Sequence, residues 1–190
     1  MRSRNQNINL KILDEKGVKL TVKREDELHP FVSGNKYRKL YFNLKKAKEE
    51  GCHTLLSFGG AYSNHINALA YAGKMHGFKT IGIIRGEELG HDIEKLLQSN
   101  PTLRFAHTNG MNFKFVSREI YRNKETSDFI NELKLEFGDF YLIPEGGTNE
   151  LAVKGCEEIL TSKDNEFDFI CVSVETGSTI SGLINSASAH

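Results

Sequence analysis

The sequence lacks an excess of charge of either sign, and it is poor in cysteine. Its 190 residues hold 25 lysines and arginines against 25 aspartates and glutamates, so no overall charge would draw it to nucleic acid or to an anionic membrane. The three cysteines show no CxxC or Cys/His ligand spacing, which argues against structural zinc and against a disulfide framework. We therefore expect no nucleic-acid partner and no metal site.

Long hydrophobic runs are also missing. Lys11 and Asp14 interrupt the apolar stretch near the start, so no signal-peptide hydrophobic region forms there. No apolar run approaches the roughly 20 residues that a membrane helix needs. The three isolated thiols suit a reducing compartment. The sequence thus predicts a soluble, cytoplasmic protein with no membrane partner.

Strand and helix patterns alternate along the chain, which predicts an α/β fold with a parallel or mostly parallel sheet and helices on both faces, in three layers. Continuous apolar runs are typical of strands covered on both faces, and apolar residues recurring three and four apart indicate helices. Pro101 is expected to end a helix, because the residue before a proline disfavours helical geometry. The predicted strands are residues 18–23, 54–58, 79–84, 104–108, 140–143 and 168–174, and the predicted helices are residues 37–50, 64–76, 87–100, 127–137, 150–160 and 180 onward.

The sequence ends in an unusual place for a domain. A strand pattern, a turn at Gly177 and the first turns of a helix stop at residues 188–190. This helix has no C-cap signal, and no later strand pattern follows that could cover its apolar side. We therefore expect the chain to be incomplete at its C-terminus.

Three glycine-containing turns are candidates for anion binding, at residues 33–36, 57–64 and 175–179. Each precedes a predicted helix, whose first N–H groups and dipole favour phosphate or carboxylate. Two of them also follow a strand and so lie at the carboxyl edge of the sheet, where α/β folds usually bind ligands. None matches a nucleotide P-loop or a dinucleotide-binding fingerprint.

Four stretches together resemble the fold-type-II pyridoxal-phosphate enzymes, and within them the 1-aminocyclopropane-1-carboxylate deaminase and D-cysteine desulfhydrase branch. The resemblance extends from about residue 22 to the end. It implies two lobes, with residues 1–48 and 149–190 in a larger cofactor-binding lobe and residues 49–148 in a smaller one. The stretches are KREDELHPFVSGNKYRKL (23–40), LLSFGGAYSNHINALAYAG (55–73), LIPEGGTNELAVKG (142–155) and ETGSTISGL (175–183).

The resemblance gives two lysines a role. Lys36 would form the Schiff base with the aldehyde of pyridoxal 5'-phosphate and later move protons to and from the substrate carbon, as a desolvated lysine amine can. Lys39, one turn further on the same helix face, would reach the cofactor phosphate. The alternative for Lys36 is a solvated lysine at a basic helix start, beside Arg38.

The other implied site residues lie in the second and third glycine turns. Asn64 would hydrogen-bond the cofactor ring oxygen, and Ser63 would contact the substrate carboxylate or assist at its reacting carbon. Both residue types also cap helices, which is the alternative. His65 follows them, as in the desulfhydrases, although a lone histidine at a helix start is more often structural or exposed than catalytic. The phosphate-binding turn would be Gly177, Ser178 and Thr179, whose N–H groups and hydroxyls can neutralise a dianion.

The sequence departs from the family pattern at two positions. Glu175 stands where a small residue is usual, and a carboxylate beside a phosphate costs on the order of a few kcal/mol at about 4 Å. If Glu175 points inward, cofactor affinity suffers. Tyr62 stands where glutamine is usual, which bears on the substrate more than on the fold.

The implied function is breakdown of a small amino acid to a 2-oxo acid and ammonia. 1-Aminocyclopropane-1-carboxylate would give 2-oxobutanoate, whereas D-cysteine would give pyruvate and sulfide. A homodimer is compatible with this reading. Two alternatives stay open: a non-catalytic or decayed fragment that no longer binds the cofactor productively, and a related enzyme such as a cysteine synthase or serine dehydratase.

Overall fold

The computed structural model describes residues 2–187, so the expectation of an abrupt end at residues 188–190 lies outside the described residues. Helices and strands alternate through most of this range. The strands are β1 (Asn5–Ile8), β2 (Leu20–Lys23), β3 (Thr54–Gly60), β4 (Lys79–Arg85), β5 (Met111–Val116) and β6 (Tyr141–Ile143). The helices are α1 (Lys11–Glu15), α2 (Asn35–Glu49), α3 (Asn64–His76), α4 (Ile93–Ser99), α5 (Pro101–Thr108), α6 (Arg118–Arg122), α7 (Ser127–Phe137), α8 (Glu150–Cys156) and α9 (Ser178–Ala187).

The central sheet is parallel and has four strands in the order β5-β4-β3-β6. Successive side chains of a strand point to opposite faces, so each strand contributes to two hydrophobic clusters. Leu55 packs on one face with side chains of α2, α3 and α5. Leu56 and Phe58 pack on the other face with side chains of α6 and α7. The predicted α/β sandwich with helices on both faces is confirmed.

A second helical packing unit lies beside the sheet. Helix α8 packs between α2 and α9, and their contact is close because two glycines lie in it. A Cβ on Gly155 would come within 2.1 Å of the Arg38 carbonyl oxygen, and a Cβ on Gly182 within 2.5 Å of the Cys156 Cβ. These glycines let α2 and α9 approach α8, which brings the predicted cofactor lysines near the predicted phosphate turn.

The antiparallel pair β1-β2 is attached to the rest of the chain through a buried carboxylate. Asp164 accepts hydrogen bonds from Lys23 Nζ at 2.7 Å and from Asn5 Nδ2 at 2.9 Å. It also accepts one from the Thr161 backbone N–H at 2.8 Å. These bonds favour the charged form and lower the pKa of Asp164, against the opposing effect of burial. The hairpin is therefore anchored electrostatically to the segment after α8.

Two predicted strands are wrong. Residues 104–108 belong to helix α5, because Pro101 occupies its first turn and the Asn100 side chain accepts from the Leu103 N–H at 2.9 Å. A proline that seemed to end one helix in fact begins the next. Residues 168–174 form no regular element, because no strand pairs with them within residues 2–187. Phe169 in that segment is 88% exposed.

Some predicted helices have different bounds in the structure, and some strands of the structure were not predicted. The helix predicted over residues 87–100 divides into a 3-10 turn at Glu87–Asp92 and helix α4, and the helix predicted over 150–160 ends at Cys156. Strands β1 and β5 were not predicted. Helices α3 and α7 have the predicted bounds. Within residues 2–187, no helix is both long enough and apolar enough to cross a membrane.

Replacing Gly155 with alanine is expected to destabilise the protein. The added Cβ would overlap the backbone of α2, which cannot move as a flexible side chain can. We expect the free energy of unfolding in urea to fall by roughly 1–3 kcal/mol, as for other overpacked cores.

The matched control is Gly60→Ala, whose added Cβ would meet nothing closer than the Arg85 guanidinium at 3.8 Å. Its urea midpoint should stay near that of the unmodified protein. Equal midpoints for the two variants would contradict the close α2–α8 contact.

Candidate functional site

A cleft of about 920 Å³ lies at the carboxyl edge of the sheet. Its wall combines the ends of β3 and β4 and the turn after β6 with the first residues of α2, α3 and α9. The three glycine turns predicted to bind anions therefore meet in one place. The volume is within the range of ligand pockets in proteins, about 300–1,000 Å³.

Lys36 lies in the first turn of α2, two residues after the N-cap Gly34, whose φ of +62° suits glycine. Its side chain lines the cleft and is only 8% exposed. The Nζ donates to the Gly146 carbonyl oxygen at 3.3 Å. Burial lowers the pKa of Lys36, and the nearby charge of Glu175 opposes this shift only in part. The structure thus contradicts the alternative of a solvated lysine.

Lys39 lies one turn beyond Lys36 and is 2% exposed. Its Nζ donates to the same Gly146 carbonyl oxygen at 3.3 Å and to Thr176 Oγ1 at 3.2 Å. Burial, followed by repulsion from Lys36, lowers the pKa of Lys39 to about 8. Contact with Thr176 places this ammonium beside the turn at residues 175–179, where the resemblance puts the phosphate.

The shared acceptor of the two lysines comes from a 3-10 turn after β6, at Glu145–Gly147. Gly146 and Gly147 both have positive φ, at +68° and +74°. A Cβ on Gly146 would lie 2.9 Å from a Thr176 carbon, and one on Gly147 would lie 3.2 Å from the His65 ring. Only glycine fits this turn at both positions. The Gly-Gly pair belongs to one of the stretches that carry the family resemblance, but the sequence predicted no role for it. A backbone carbonyl oxygen makes the contact with the lysines, and no residue type marks it.

The predicted Ser63 and Asn64 lie at the start of α3, and both line the cleft. Ser63 is the N-cap, and its Oγ accepts from the Ile66 N–H at 3.3 Å. The capping alternative for Ser63 is therefore what the geometry shows, and it leaves the hydroxyl at the cleft wall. Asn64 is exposed to the cleft.

The turn at residues 177–179 begins α9. Gly177 has φ +90°, and no atom lies within 4 Å of the position of an added Cβ. Thr179 lines the cleft, and its Oγ1 accepts from Asn35 Nδ2 at 2.9 Å. Ser178 is buried behind the wall, with its Oγ 3.4 Å from Thr148 Oγ1. Of the predicted site residues, Ser178 alone does not line the cleft.

The two positions that depart from the family pattern also face the cleft. Glu175 is exposed, and its charge raises the pKa of both Lys36 and Lys39 against the larger effect of burial. The carboxylate is therefore close enough to act on the lysines that would meet an anion. Tyr62 is 73% exposed at the mouth of the cleft.

His65 is buried at the back of the cleft, and Ser57 Oγ lies 2.8 Å from its Nε2. The Ser57 hydroxyl also donates to the Pro144 carbonyl oxygen, at 3.4 Å. Nδ1 has no hydrogen-bond partner within residues 2–187. Burial, with repulsion from Lys36 and Lys39, lowers the pKa of His65 to about 3. The ring is neutral and holds the turn that follows β6.

These residues fit an anionic cofactor that carries an aldehyde. A buried amine with a lowered pKa can react with the aldehyde, and the start of α9 beside Lys39 can hold a dianionic phosphate. Within the described part of the chain, no group of three His, Cys, Asp or Glu side chains is arranged to hold a metal ion. The fold and the cleft together define an α/β protein with two buried lysines in a cleft that fits such a cofactor.

Comparison with known proteins identifies the family. The family described as "Pyridoxal-phosphate dependent enzyme" matches residues 6–190, and the chain belongs to that family. A solved structure described as an ACC deaminase homologue covers 99% of this chain with a TM-score of 0.78 and 24% identity, which shows the same fold. This chain covers 57% of that structure.

Relatives confirm the resemblance to the deaminase and desulfhydrase branch. A Thermotoga maritima protein named "Putative 1-aminocyclopropane-1-carboxylate deaminase" is 37% identical over 92% of this chain and 56% of its own length. An Arabidopsis thaliana mitochondrial protein, named as a bifunctional D-cysteine desulfhydrase and 1-aminocyclopropane-1-carboxylate deaminase, is 33% identical over 88% of this chain and 44% of its own length. The chain spans about half the length of these relatives.

The buried neutral His65 predicts a specific acid sensitivity. The folded state keeps the ring unprotonated down to about pH 3, whereas the ordinary value is 6.5. The unfolded state therefore binds an extra proton as the pH falls below 6.5, and stability is lost in that window by up to about 1.4 kcal/mol per pH unit. In His65→Gln, this part of the acid dependence should be absent, as measured by urea unfolding from pH 7 to 4.

The control is His76→Gln, which removes an exposed histidine at the end of α3. It should retain the full acid dependence. An acid slope in His65→Gln equal to that of the unmodified protein would contradict the assignment of a neutral, buried His65.

Proposed function

We propose that the protein carrying this chain breaks down a small amino acid, 1-aminocyclopropane-1-carboxylate or D-cysteine, to a 2-oxo acid and ammonia, with sulfide as a further product from D-cysteine. Lys36 holds pyridoxal 5'-phosphate in this reaction. The observation that carries the proposal is the buried pair Lys36 and Lys39, hydrogen-bonded to one carbonyl in a cleft also lined by the turn at residues 175–179. The name of the Arabidopsis thaliana relative, which includes both activities, supports the choice of these two substrates.

Each site residue has a defined task in this proposal. The cofactor, when bound, supplies an electron sink for the substrate carbon. Lys36 Nζ holds the cofactor and carries a proton to and from that carbon, which its lowered pKa favours. Lys39 and the N–H groups of residues 177–179 hold the phosphate. Thr179 adds its hydroxyl to the cleft wall.

In this proposal, residues at the start of α3 bind the substrate and contact the cofactor ring. Asn64 hydrogen-bonds the cofactor ring oxygen, and Ser63 contacts the substrate carboxylate or assists at its reacting carbon. Both line the cleft at the N-terminus of a 13-residue helix, where a negative group is favoured. His65 does not act as a proton donor in this proposal, because its pKa of about 3 keeps it neutral.

The two-lobe division is part of the same proposal. We place residues 1–48 and 149–190 in the larger lobe and residues 49–148 in the smaller one. Support comes from the packing of α8 between α2 and α9, beside the four-stranded sheet formed between residues 54 and 143. Helix α2 also covers one face of that sheet and so connects the two groups of elements. The cleft lies where these two groups of elements meet.

A cytoplasmic location is proposed from the free cysteines.

A second candidate is a non-catalytic protein that no longer binds the cofactor productively. Glu175 favours it, since this carboxylate faces the cleft beside the turn that would hold a phosphate. The buried, hydrogen-bonded geometry of Lys36 opposes it. The two candidates differ in whether Lys36 reacts with the cofactor.

Lys36→Ala should abolish covalent attachment of the cofactor. Purified protein with pyridoxal phosphate is expected to show the absorbance band of a lysine Schiff base, which borohydride reduction fixes to the Lys36 peptide. In the variant, both the band and the labelled peptide should be lost, because the amine is gone.

The matched control is Lys45→Ala on the exposed face of the same helix, which should keep the band. If unmodified protein and Lys36→Ala give the same spectrum, the non-catalytic candidate becomes the better description.

The two proposed substrates give different products. Incubation with 1-aminocyclopropane-1-carboxylate should release 2-oxobutanoate, whereas D-cysteine should release pyruvate and sulfide. L-Serine is the comparison that detects a dehydratase. Product from L-serine alone would contradict the proposed substrates while leaving Lys36 as the cofactor residue.

A further inference from the structure

Arg85 occupies a position at the cleft that the proposed roles do not use. It is the last residue of β4 and pairs in register with Gly60, the last residue of β3. Gly60 opens the loop that leads to Ser63 and the start of α3. The Arg85 guanidinium lies beside the start of this loop, 3.8 Å from where a Cβ on Gly60 would be.

The guanidinium of Arg85 contacts an aromatic ring of the protein. Its central carbon lies 5.7 Å from the centroid of the buried Tyr121 ring, at the distance of a cation–π contact. Tyr121 is fixed in turn, since its hydroxyl donates to Glu145 Oε1 at 2.6 Å. Burial and this hydrogen bond raise the pKa of Tyr121 well above its ordinary value. The hydroxyl therefore stays protonated and keeps its bond to Glu145.

The charge of Arg85 is not neutralised by a neighbouring carboxylate. Glu145 is already engaged by Tyr121 and by Lys124, whose Nζ lies 3.4 Å from its other oxygen. Within residues 2–187, Arg85 forms no ion pair. Lys36 and Lys39 are the other lysines or arginines that line the cleft, and both are buried against Gly146. Arg85 is thus the exposed cation of the cleft wall.

We infer that Arg85 recognises the carboxylate of the amino-acid substrate, together with the N-terminus of α3. A guanidinium offers two parallel N–H donors that match a carboxylate, and it lies beside the loop that carries Ser63. The inference rests on the proposed function and adds a requirement to it. The ligand must carry a free carboxylate, so the corresponding amide is a poor substrate.

The test compares Arg85→Met and Arg85→Lys in the protein with its cofactor bound. For the reaction with 1-aminocyclopropane-1-carboxylate, KM should rise by about 10- to 100-fold in Arg85→Met, the loss expected for a charge-assisted hydrogen bond. Arg85→Lys keeps the charge without the two parallel donors and should recover part of this loss. The Schiff-base band at Lys36 should be unchanged in both variants.

Two further measurements separate recognition from a general effect of charge. Arg118→Met removes an exposed arginine on α6 that does not line the cleft, and its KM should be unchanged. Phenylglyoxal labels arginine side chains, and peptide mass spectrometry should show that cyclopropanecarboxylate protects Arg85 but that cyclopropanecarboxamide does not.

The outcomes are distinguishable. A normal Schiff-base band with an unchanged KM in Arg85→Met, or equal protection by acid and amide, overturns the role of Arg85 alone. Absence of the band in the unmodified protein overturns the proposed function and this inference with it.

Discussion

The rest of the cleft depends on the burial of two lysine amines against one carbonyl oxygen. Lys36 and Lys39 lie one turn apart on α2 and both donate to Gly146 at 3.3 Å. Two ammonium groups in such a place repel each other and lose hydration, and both effects favour release of a proton. The pKa of Lys39 accordingly falls to about 8. Burial lowers the pKa of Lys36 as well, so the geometry favours the neutral form of both amines.

This arrangement constrains elements far apart in the sequence. The carbonyl can reach both amines only because Gly146 and Gly147 adopt positive φ after β6, where a side chain would strike Thr176 or His65. Ser57 on β3 fixes the start of the same turn through Pro144, and the neutral His65 on α3 fixes Ser57. A charged His65 would add a third buried cation beside the lysines, so its low pKa is part of the same constraint.

The sequence was sufficient to predict helices and strands that a local pattern defines. It was not sufficient to predict features that depend on contacts with residues elsewhere in the chain. Helices α3 and α7 have caps and apolar faces that are visible in their own residues. Residues 168–174 have the composition of a buried strand, but a strand also needs a neighbour, and within residues 2–187 none pairs with them. Lys36 was found through its motif. The carbonyl oxygen of Gly146, which accepts hydrogen bonds from both lysines, was not found, because a backbone carbonyl leaves no signal in the sequence.

Under the proposed function, the cleft would bind negative groups at two separate places. Lys39 contacts Thr176 of the turn at residues 175–179, whereas Arg85 lies beside Gly60 on the sheet edge, so two cations belong to different parts of the wall. A phosphate on the first and a carboxylate on the second would leave Lys36 to act on the atoms in between. Glu175 acts on the lysine side of this arrangement, because its charge raises the pKa of both Lys36 and Lys39. Under the proposed function, a loss of cofactor affinity caused by Glu175 would therefore be distinguishable from a loss of carboxylate recognition caused by a change at Arg85.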